Sequence, residues 1–256
     1  MEILGYIALT LMGLVLSLVG AGGSVLTIPI LVYLLNLPIL LATSYSLVIV
    51  GSTAFIATLR YYNYIVFKKA LLFMLPSILG VFLSRHFLIV NLPAYFGSFA
   101  IEYLLLIFLL VFMIVSGFFM IQKIEFVAND NINKINNLKI GLIGLILGVF
   151  MGLLGAGGGF LIIPTFVLLL GLKIQEAVPS SLFIITMNSL VGFLADKHHF
   201  IASDWFVLLQ CLAASLVGML LGFYMSKFVN GNNLKNLFGY FVWAVAVGIV
   251  LKSFVF

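Results

Sequence analysis

The chain has 256 residues, of which 64% are hydrophobic and 7% are charged, and its mean hydropathy is +1.34. Soluble domains carry about 25% charged residues, so this composition excludes a soluble globular protein. The net charge of +5 comes from basic residues scattered among short loops. No basic stripe follows the phosphates of a nucleic acid, so we predict a lipid bilayer as the environment and no nucleic-acid partner.

The apolar residues lie in about eight blocks, most of them long enough for a membrane-spanning helix. We therefore predict an all-α polytopic membrane protein. A polar stretch, residues 122–138, separates a first membrane unit at 1–121 from a second at 139–256. The apolar blocks are roughly residues 3–34, 38–59, 70–92, 97–121, 139–170, 177–195, 203–226 and 234–254.

The two units match each other at an offset of 135 residues. Gly-Ala-Gly-Gly at 20–23 aligns with the same residues at 155–158, and Pro29 aligns with Pro164. About 18 of the 39 positions from 13 to 51 are identical in the aligned segment. Apolar bias alone does not align glycine, proline and serine at one offset, so we predict two homologous repeats of four segments, as in many secondary transporters.

The first segment of each repeat is too long for one crossing. Residues 3–34 as a single helix would reach about 48 Å, whereas the hydrocarbon core is about 30 Å thick. Glycine disfavours a helix by about 1 kcal/mol relative to alanine, so we predict a break at the glycines, inside the bilayer. A single crossing of the broken segment would make the repeats parallel, and a re-entrant hairpin would make them inverted. The distribution of Lys and Arg satisfies the positive-inside rule in both cases.

The glycine breaks are the first candidate substrate site. Free N–H groups at a helix start carry a partial positive charge that suits a small anion, and glycine lets the backbone approach a ligand closely. The alternative is close helix packing by small residues. The candidate binding residues at the breaks are Gly22, Gly23, Ser24, Gly157, Gly158 and Gly159.

Polar residues in the following segments are the second candidates. Ser46 and Ser181 open the segment after each break, where a hydroxyl either binds an oxyanion or caps the helix. Asn188 lies deeper in its segment, and a polar side chain at that depth faces protein or a cavity more often than lipid. Arg60 and Arg85 end apolar segments and are interpreted as snorkelling to the interface.

Catalytic and metal chemistry have little support in the sequence. It contains no nucleophile elbow, nucleotide-binding loop or zinc-protease motif, so we predict no enzyme activity and no cofactor. His198 and His199 adjoin Asp196 and Asp204, but a metal site needs more ligands at defined spacing.

The paired motifs Gly-Ala-Gly-Gly-Ser-Val-Leu-Thr-Ile-Pro at 20–29 and Gly-Ala-Gly-Gly-Gly-Phe-Leu-Ile-Ile-Pro at 155–164 resemble the signature of the TauE/SafE permeases. Ala-x-x-x-Ser-Leu follows in both halves, and the resemblance covers nearly the whole chain. It implies a multi-pass transporter of the bacterial inner membrane, with export of sulfite or related organosulfur anions in some members. The sequence departs from the pattern at Ser24, where a third glycine is expected, and at Tyr45, where a small or hydroxyl residue is expected.

We therefore predict a secondary transporter, an exporter, whose substrate is a small anion such as sulfite or an organosulfur anion. The rival hypothesis is a non-transporting membrane scaffold or assembly factor whose repeats only pack together. The sequence also leaves open a homodimer, because Gly141, Gly144 and Gly148 would let helices approach closely, either between two chains or within one.

Overall fold

The computed structural model describes residues 2–19, 24–89, 95–96, 99–121, 136–155, 158–196, 205–226, 239–240 and 242–250. This part of the chain is helical apart from short connections and one two-residue strand pair, as the composition predicts. Of the predicted linker at 122–138, residues 122–135 lie outside the described residues. Asn136 caps the helix that follows, which begins at Asn137, two residues before the predicted boundary.

Nine helices in the described ranges are numbered in chain order. A 3₁₀ turn at Tyr62–Tyr64 precedes the fourth helix, and a π-helical segment at Ser84–Ile89 continues it. Two short antiparallel strands, β1 (Tyr95–Phe96) and β2 (Phe99–Ala100), precede the fifth. Residues 239–240 and 242–250 are also helical. The helices are α1 (Glu2–Val19), α2 (Ser24–Tyr33), α3 (Ile39–Arg60), α4 (Phe67–Leu83), α5 (Ile101–Ile121), α6 (Asn137–Leu154), α7 (Gly159–Leu168), α8 (Ile174–Ala195) and α9 (Trp205–Met225).

Five helices of the described part are long and apolar enough to cross a membrane: α3, α4 with its π-helical extension, α6, α8 and α9. In α3 and α8, 61% of the residues in the most apolar window are buried, against 33–44% in the other three. The less buried helices expose large apolar side chains such as Leu79, Ile146 and Leu220, which suits contact with lipid. The centre of the bundle is therefore the pair α3 and α8.

The two central helices run antiparallel. Ser44 near the start of α3 donates a hydrogen bond to Asp196 just after the end of α8. Gly51, further along α3, lies against Ser189, which comes earlier in α8. Residue numbers increase along α3 while the numbers of the contacting residues in α8 decrease, so the two helices point in opposite directions.

Close contacts at glycine pack helix α6 against helix α4. Gly144 and Gly148 of α6 lie against the backbone carbonyls of Phe73 and Ser77 in α4, so that any Cβ would clash with the carbonyl oxygen. A Cβ added to Gly141 would lie 3.5 Å from Cγ of Pro76. Gly141, Gly144 and Gly148, which the sequence offered for packing either between two chains or within one, thus pack helices within one chain.

Helices α6 and α7 form a hairpin. α6 runs parallel to α4 and ends beside Ser84, since Gly152 lies against that residue. α7 then returns, because Phe166 stacks edge-on against Phe73, and Leu170 accepts a hydrogen bond of 2.8 Å from Lys69 near the start of α4. The 18 residues of α6 already extend about 27 Å. The turn at the predicted glycines therefore follows a helix of this length, and its depth in the bilayer stays a prediction.

Three pairs of helices have bounds that differ by the same number of residues. α6, α7 and α8 each begin and end 135 residues after α1, α2 and α3, respectively. This is the offset at which the two halves of the sequence match.

Candidate functional site

Parallel helices α4 and α8 place polar side chains opposite one another. Asn188, Gly192 and Asp196 follow at intervals of four residues and so lie on one face of α8. Ser77 of α4 accepts a hydrogen bond from Asn188, and Arg85 of the π-helical extension pairs with Asp196. The result is a buried polar stripe between two membrane-spanning helices, with an ion pair at one end and an amide at the other.

The ion pair is the most unusual feature of the stripe. Nη1 of Arg85 lies 2.8 Å from Oδ2 of Asp196, and both side chains are 1% exposed. Ser44 of α3 donates its hydroxyl proton to the same carboxylate oxygen and accepts a weak hydrogen bond of 3.5 Å from Arg85. Burial of an ion costs several kcal/mol unless a partner compensates it, so each charge requires the other.

Asp196 accounts for only one nitrogen of the guanidinium. Nε and Nη2 of Arg85 are buried and have no hydrogen-bond partner among the described residues. These two nitrogens form one edge of the guanidinium fork, the edge that binds carboxylates and other oxyanions with two parallel hydrogen bonds. Among the described residues, this donor edge of the guanidinium therefore has no partner inside the bundle.

A glycine at the α6–α7 turn approaches this edge. Gly155 has φ +62°, and an added Cβ would lie 2.7 Å from Nη2 of Arg85 and would clash with the carbonyl oxygen of Thr43. Gly158, with φ +64°, precedes α7. Both positions favour glycine because L-residues seldom adopt positive φ, and at Gly155 the missing side chain also leaves Nη2 uncovered.

The amide end of the stripe contains two of the predicted site residues. Asn188 donates to Oγ of Ser77 at 2.7 Å and to Sδ of Met151 at 3.5 Å, while its Oδ1 has no partner in the described part of the chain. Gly158 lies directly against the Met151 side chain. The prediction that Asn188 faces protein is confirmed, and the structure brings it close to the predicted Gly158.

The two predicted serines do not share a site. Ser46 lies one turn after Thr43 in α3, and its buried Oγ has no partner in the described residues. Ser181 donates to the carbonyl of Val178 at 2.8 Å, and its neighbour Ser180 accepts from the backbone of Val66 at the opposite end of α8. Both lie inside helices, so neither is a helix cap.

The remaining predicted residues are placed only in part. Ser24 is the buried first residue of α2, and Gly159 is the buried first residue of α7. Gly22, Gly23 and Gly157 lie outside the described residues, so their predicted role in binding stays a prediction.

Snorkelling is the wrong interpretation for Arg85, which is 1% exposed and paired inside the bundle. Arg60, in contrast, is exposed at the last residue of α3. The sequence analysis took Arg85 as the end of its apolar segment, but that segment, 70–92, continues beyond it. An ionisable residue within a membrane segment usually has a functional partner, and this was the signal. Asp196 could not be assigned as that partner, because it lies 111 positions away and only the fold joins them. His198, His199 and Asp204 lie outside the described residues.

Several helices long and apolar enough to cross a membrane surround a buried, charged polar stripe, an arrangement typical of membrane transporters. The family described as "Sulfite exporter TauE/SafE" matches residues 6–249. The chain belongs to this family and is a multi-pass membrane transporter rather than an enzyme.

Curated relatives agree with this class. A probable membrane transporter protein of Xylella fastidiosa (strain 9a5c) is 26% identical over 251 residues, which cover 95% of this chain and 92% of the relative. The probable membrane transporter protein YunE of Bacillus subtilis (strain 168) is 28% identical over 241 residues, covering 86% of this chain and 85% of the relative. No solved structure matches the chain significantly.

Proposed function

We propose that the protein is a secondary transporter that exports a small anion, with sulfite or an organosulfur anion as the leading substrate class, across the bacterial inner membrane. The family description supports sulfite export as the first activity to test. The polar stripe between α4 and α8, with the adjoining face of α3, forms the proposed path.

Unpartnered buried polar atoms carry this proposal. In the described part of the chain, Thr27 of α2 has one such atom. The other residues with at least one lie on α3, on α8, or on α4 and its π-helical extension, and they are Ser46, Ser84, Arg85, Asn188 and Ser189. Polar groups inside a protein are nearly always hydrogen-bonded, and lipid offers no partner. A row of unpaired groups therefore favours a path that water or a hydrophilic solute enters, whereas a scaffold with a filled interior would need no such row.

The charge of the path favours an anion. Among the buried described residues, Arg85 and Asp196 are the charged ones, and Asp196 occupies only one nitrogen of the guanidinium. The unoccupied groups of Arg85 are donors, so a solute with acceptor oxygens and negative charge complements them.

We also propose that the chain consists of two inverted repeats, residues 1–121 and 139–256, joined by the linker at 122–138. The common offset of 135 residues supports two repeats, and the opposite directions of α3 and α8 support inversion. Substrate sites of such transporters lie at the interface of the repeats. The predicted residues Gly158, Ser46 and Asn188 lie near this interface and are proposed to line the path.

Flux in proteoliposomes tests the function. Purified protein is reconstituted, and uptake of sulfite, thiosulfate, sulfate, sulfoacetate, acetate and glycerol is measured with and without an imposed proton gradient. We expect flux of one or more sulfur anions and none of glycerol, with protein-free liposomes as the control. Folded protein that moves none of the anions would refute the proposal.

Water access to the path separates the transporter from the scaffold. In a Cys211→Ala background, Ser46→Cys and Ser181→Cys are treated with a charged, membrane-impermeant thiol reagent. Labelling at Ser46→Cys is expected for a solute path. Silence at both positions favours a dry interior and the scaffold.

A further inference from the structure

We propose that Arg85 is the substrate-binding residue, and that it holds one oxyanion side-on through Nε and Nη2. Asp196 and Ser44 are positioning residues that fix the guanidinium through Nη1. This inference rests on the proposed function and assigns the binding site to named atoms.

The geometry of the guanidinium supports side-on binding. Nη1 is committed to Asp196 and Ser44, which orients the plane of the guanidinium, while the opposite edge keeps two buried donors without partners in the described residues. Two parallel N–H donors match two oxygens on one central atom, as in sulfite, a sulfonate or a carboxylate. A spherical anion such as chloride offers one atom to both donors, so its two hydrogen bonds converge and are bent instead of parallel.

Gly155 keeps the donor edge accessible. A Cβ at this position would lie 2.7 Å from Nη2, so any larger residue would crowd the donor that the oxyanion needs. The α6–α7 hairpin thereby brings backbone, not side chain, to the guanidinium. The described groups nearest this edge are Gly155 and the Thr43 carbonyl, while Asp196 and Ser44 lie at Nη1.

Asp196 also acts as an internal competitor of the substrate. In the absence of an anion, its carboxylate neutralises Arg85 and stabilises the buried charge. An arriving anion meets a neutral pair, so the carboxylate weakens its attraction to Arg85. Replacement of Asp196 by the isosteric asparagine should therefore tighten anion binding.

The equivalent position in the other half of the chain carries no second ion pair. Ser77 and Gly80 of α4 make backbone contacts with α6 that Ser215 and Gly218 of α9, 138 residues later, repeat with α1. At the same offset, Phe223 stands in place of Arg85.

The partner position changes as well. Tyr61, 135 residues before Asp196, contacts Phe223 edge-on with ring centroids 6.2 Å apart. Among the described residues, an aromatic pair thus takes the place of the ion pair, and the guanidinium of Arg60 lies over the Phe223 ring, 4.5 Å from its centroid.

Ligand binding to the purified full-length protein in detergent tests this assignment. Isothermal titration and thermal unfolding are measured with sodium sulfite, methanesulfonate, acetate and chloride at constant ionic strength. We expect one bound oxyanion per chain and weaker binding of chloride than of the oxyanions. The comparison of sulfite, methanesulfonate and acetate identifies which oxyanion the site prefers.

Variants assign the binding to Arg85. Arg85→Lys keeps the charge but loses the fork, so affinity should fall by about tenfold or more. The matched control Arg60→Lys, at the exposed end of α3, should bind like the wild type. Asp196→Asn should bind more tightly and should show a larger ligand-induced rise in Tm than the wild type.

The outcomes separate this inference from the proposed function. Wild-type affinity in Arg85→Lys, or two anions per chain, would overturn the assignment while leaving transport intact. If Arg85→Lys does not fold, Asp196→Asn decides, and an unchanged or weaker affinity there would overturn it. Wild-type protein that neither binds nor transports any probe would refute the proposed function itself.

Discussion

The buried ion pair allows a quantitative test of whether Arg85 and Asp196 stabilise the fold only as a pair. Removing one partner, as in Asp196→Ala, leaves Arg85 charged and uncompensated at 1% exposure. Breaking a buried pair in this way costs about 3–5 kcal/mol. Because both side chains are fully enclosed and Ser44 adds a hydrogen bond to the same carboxylate, we expect a value at the upper end of that range.

The double variant Arg85→Met/Asp196→Leu should behave differently. Replacing a buried ion pair by apolar residues of similar volume is often neutral or stabilising, by about 1–4 kcal/mol. We therefore expect the double variant to unfold near the wild-type free energy, although Asp196→Ala alone is strongly destabilised. The difference would appear as a coupling energy of several kcal/mol in a double-mutant cycle.

The assay is denaturation by SDS titration in mixed micelles, followed by tryptophan fluorescence and far-UV circular dichroism. The single variants Arg85→Met and Asp196→Leu complete the cycle. Single variants that each lose less than about 1 kcal/mol, or a double variant whose loss equals the sum of the singles, would refute the reasoning that the two charges require each other.

Three further predictions concern packing, direction and the amide end of the stripe. Gly148→Leu should destabilise the protein by more than about 3 kcal/mol, because its side chain would be forced against the carbonyl of Ser77; the measurement is thermal unfolding. In a Cys211→Ala background, Thr58→Cys/Thr186→Cys should form a disulfide on oxidation, since the two hydroxyl oxygens lie 3.4 Å apart; a gel-shift assay detects it. Asn188→Leu should cost about 1–3 kcal/mol by leaving the Ser77 hydroxyl unpaired and should slow anion flux.

Matched controls accompany these variants. Gly248→Ala adds a methyl group where no atom lies within 4 Å, so it should change stability by less than about 1 kcal/mol. Ser46→Cys/Ser181→Cys, whose positions lie towards opposite ends of the central helix pair, should not cross-link. Cross-linking of the control pair, or none of Thr58→Cys/Thr186→Cys, would contradict the antiparallel arrangement of α3 and α8.

Composition and segment lengths were sufficient to predict a helical membrane protein. The same pattern could not determine how the segment around Gly155 crosses the membrane. Its apolar run is continuous from 139 to 170, so hydropathy locates no turn, and only the contacts of α7 with α4 show that the chain folds back.

A site residue could be predicted from the sequence only where the evidence for it lies within a single apolar segment. The depth of Asn188 in its apolar segment predicted a protein-facing side chain, and the structure pairs it with Ser77. Arg85 was misinterpreted because its partner is distant in sequence. Snorkelling and burial give the same local pattern near a segment end, and they differ only when a carboxylate such as Asp196 is brought alongside by the fold.

The most direct test of the account compares sulfite flux through wild-type protein with flux through Arg85→Met/Asp196→Leu in matched proteoliposomes. The double variant is expected to be folded and incorporated, yet to lack the donor edge that binds the anion. The account predicts flux through the wild type and background flux through the double variant. Equal flux through both proteins would contradict it, because transport would then not depend on the buried charges.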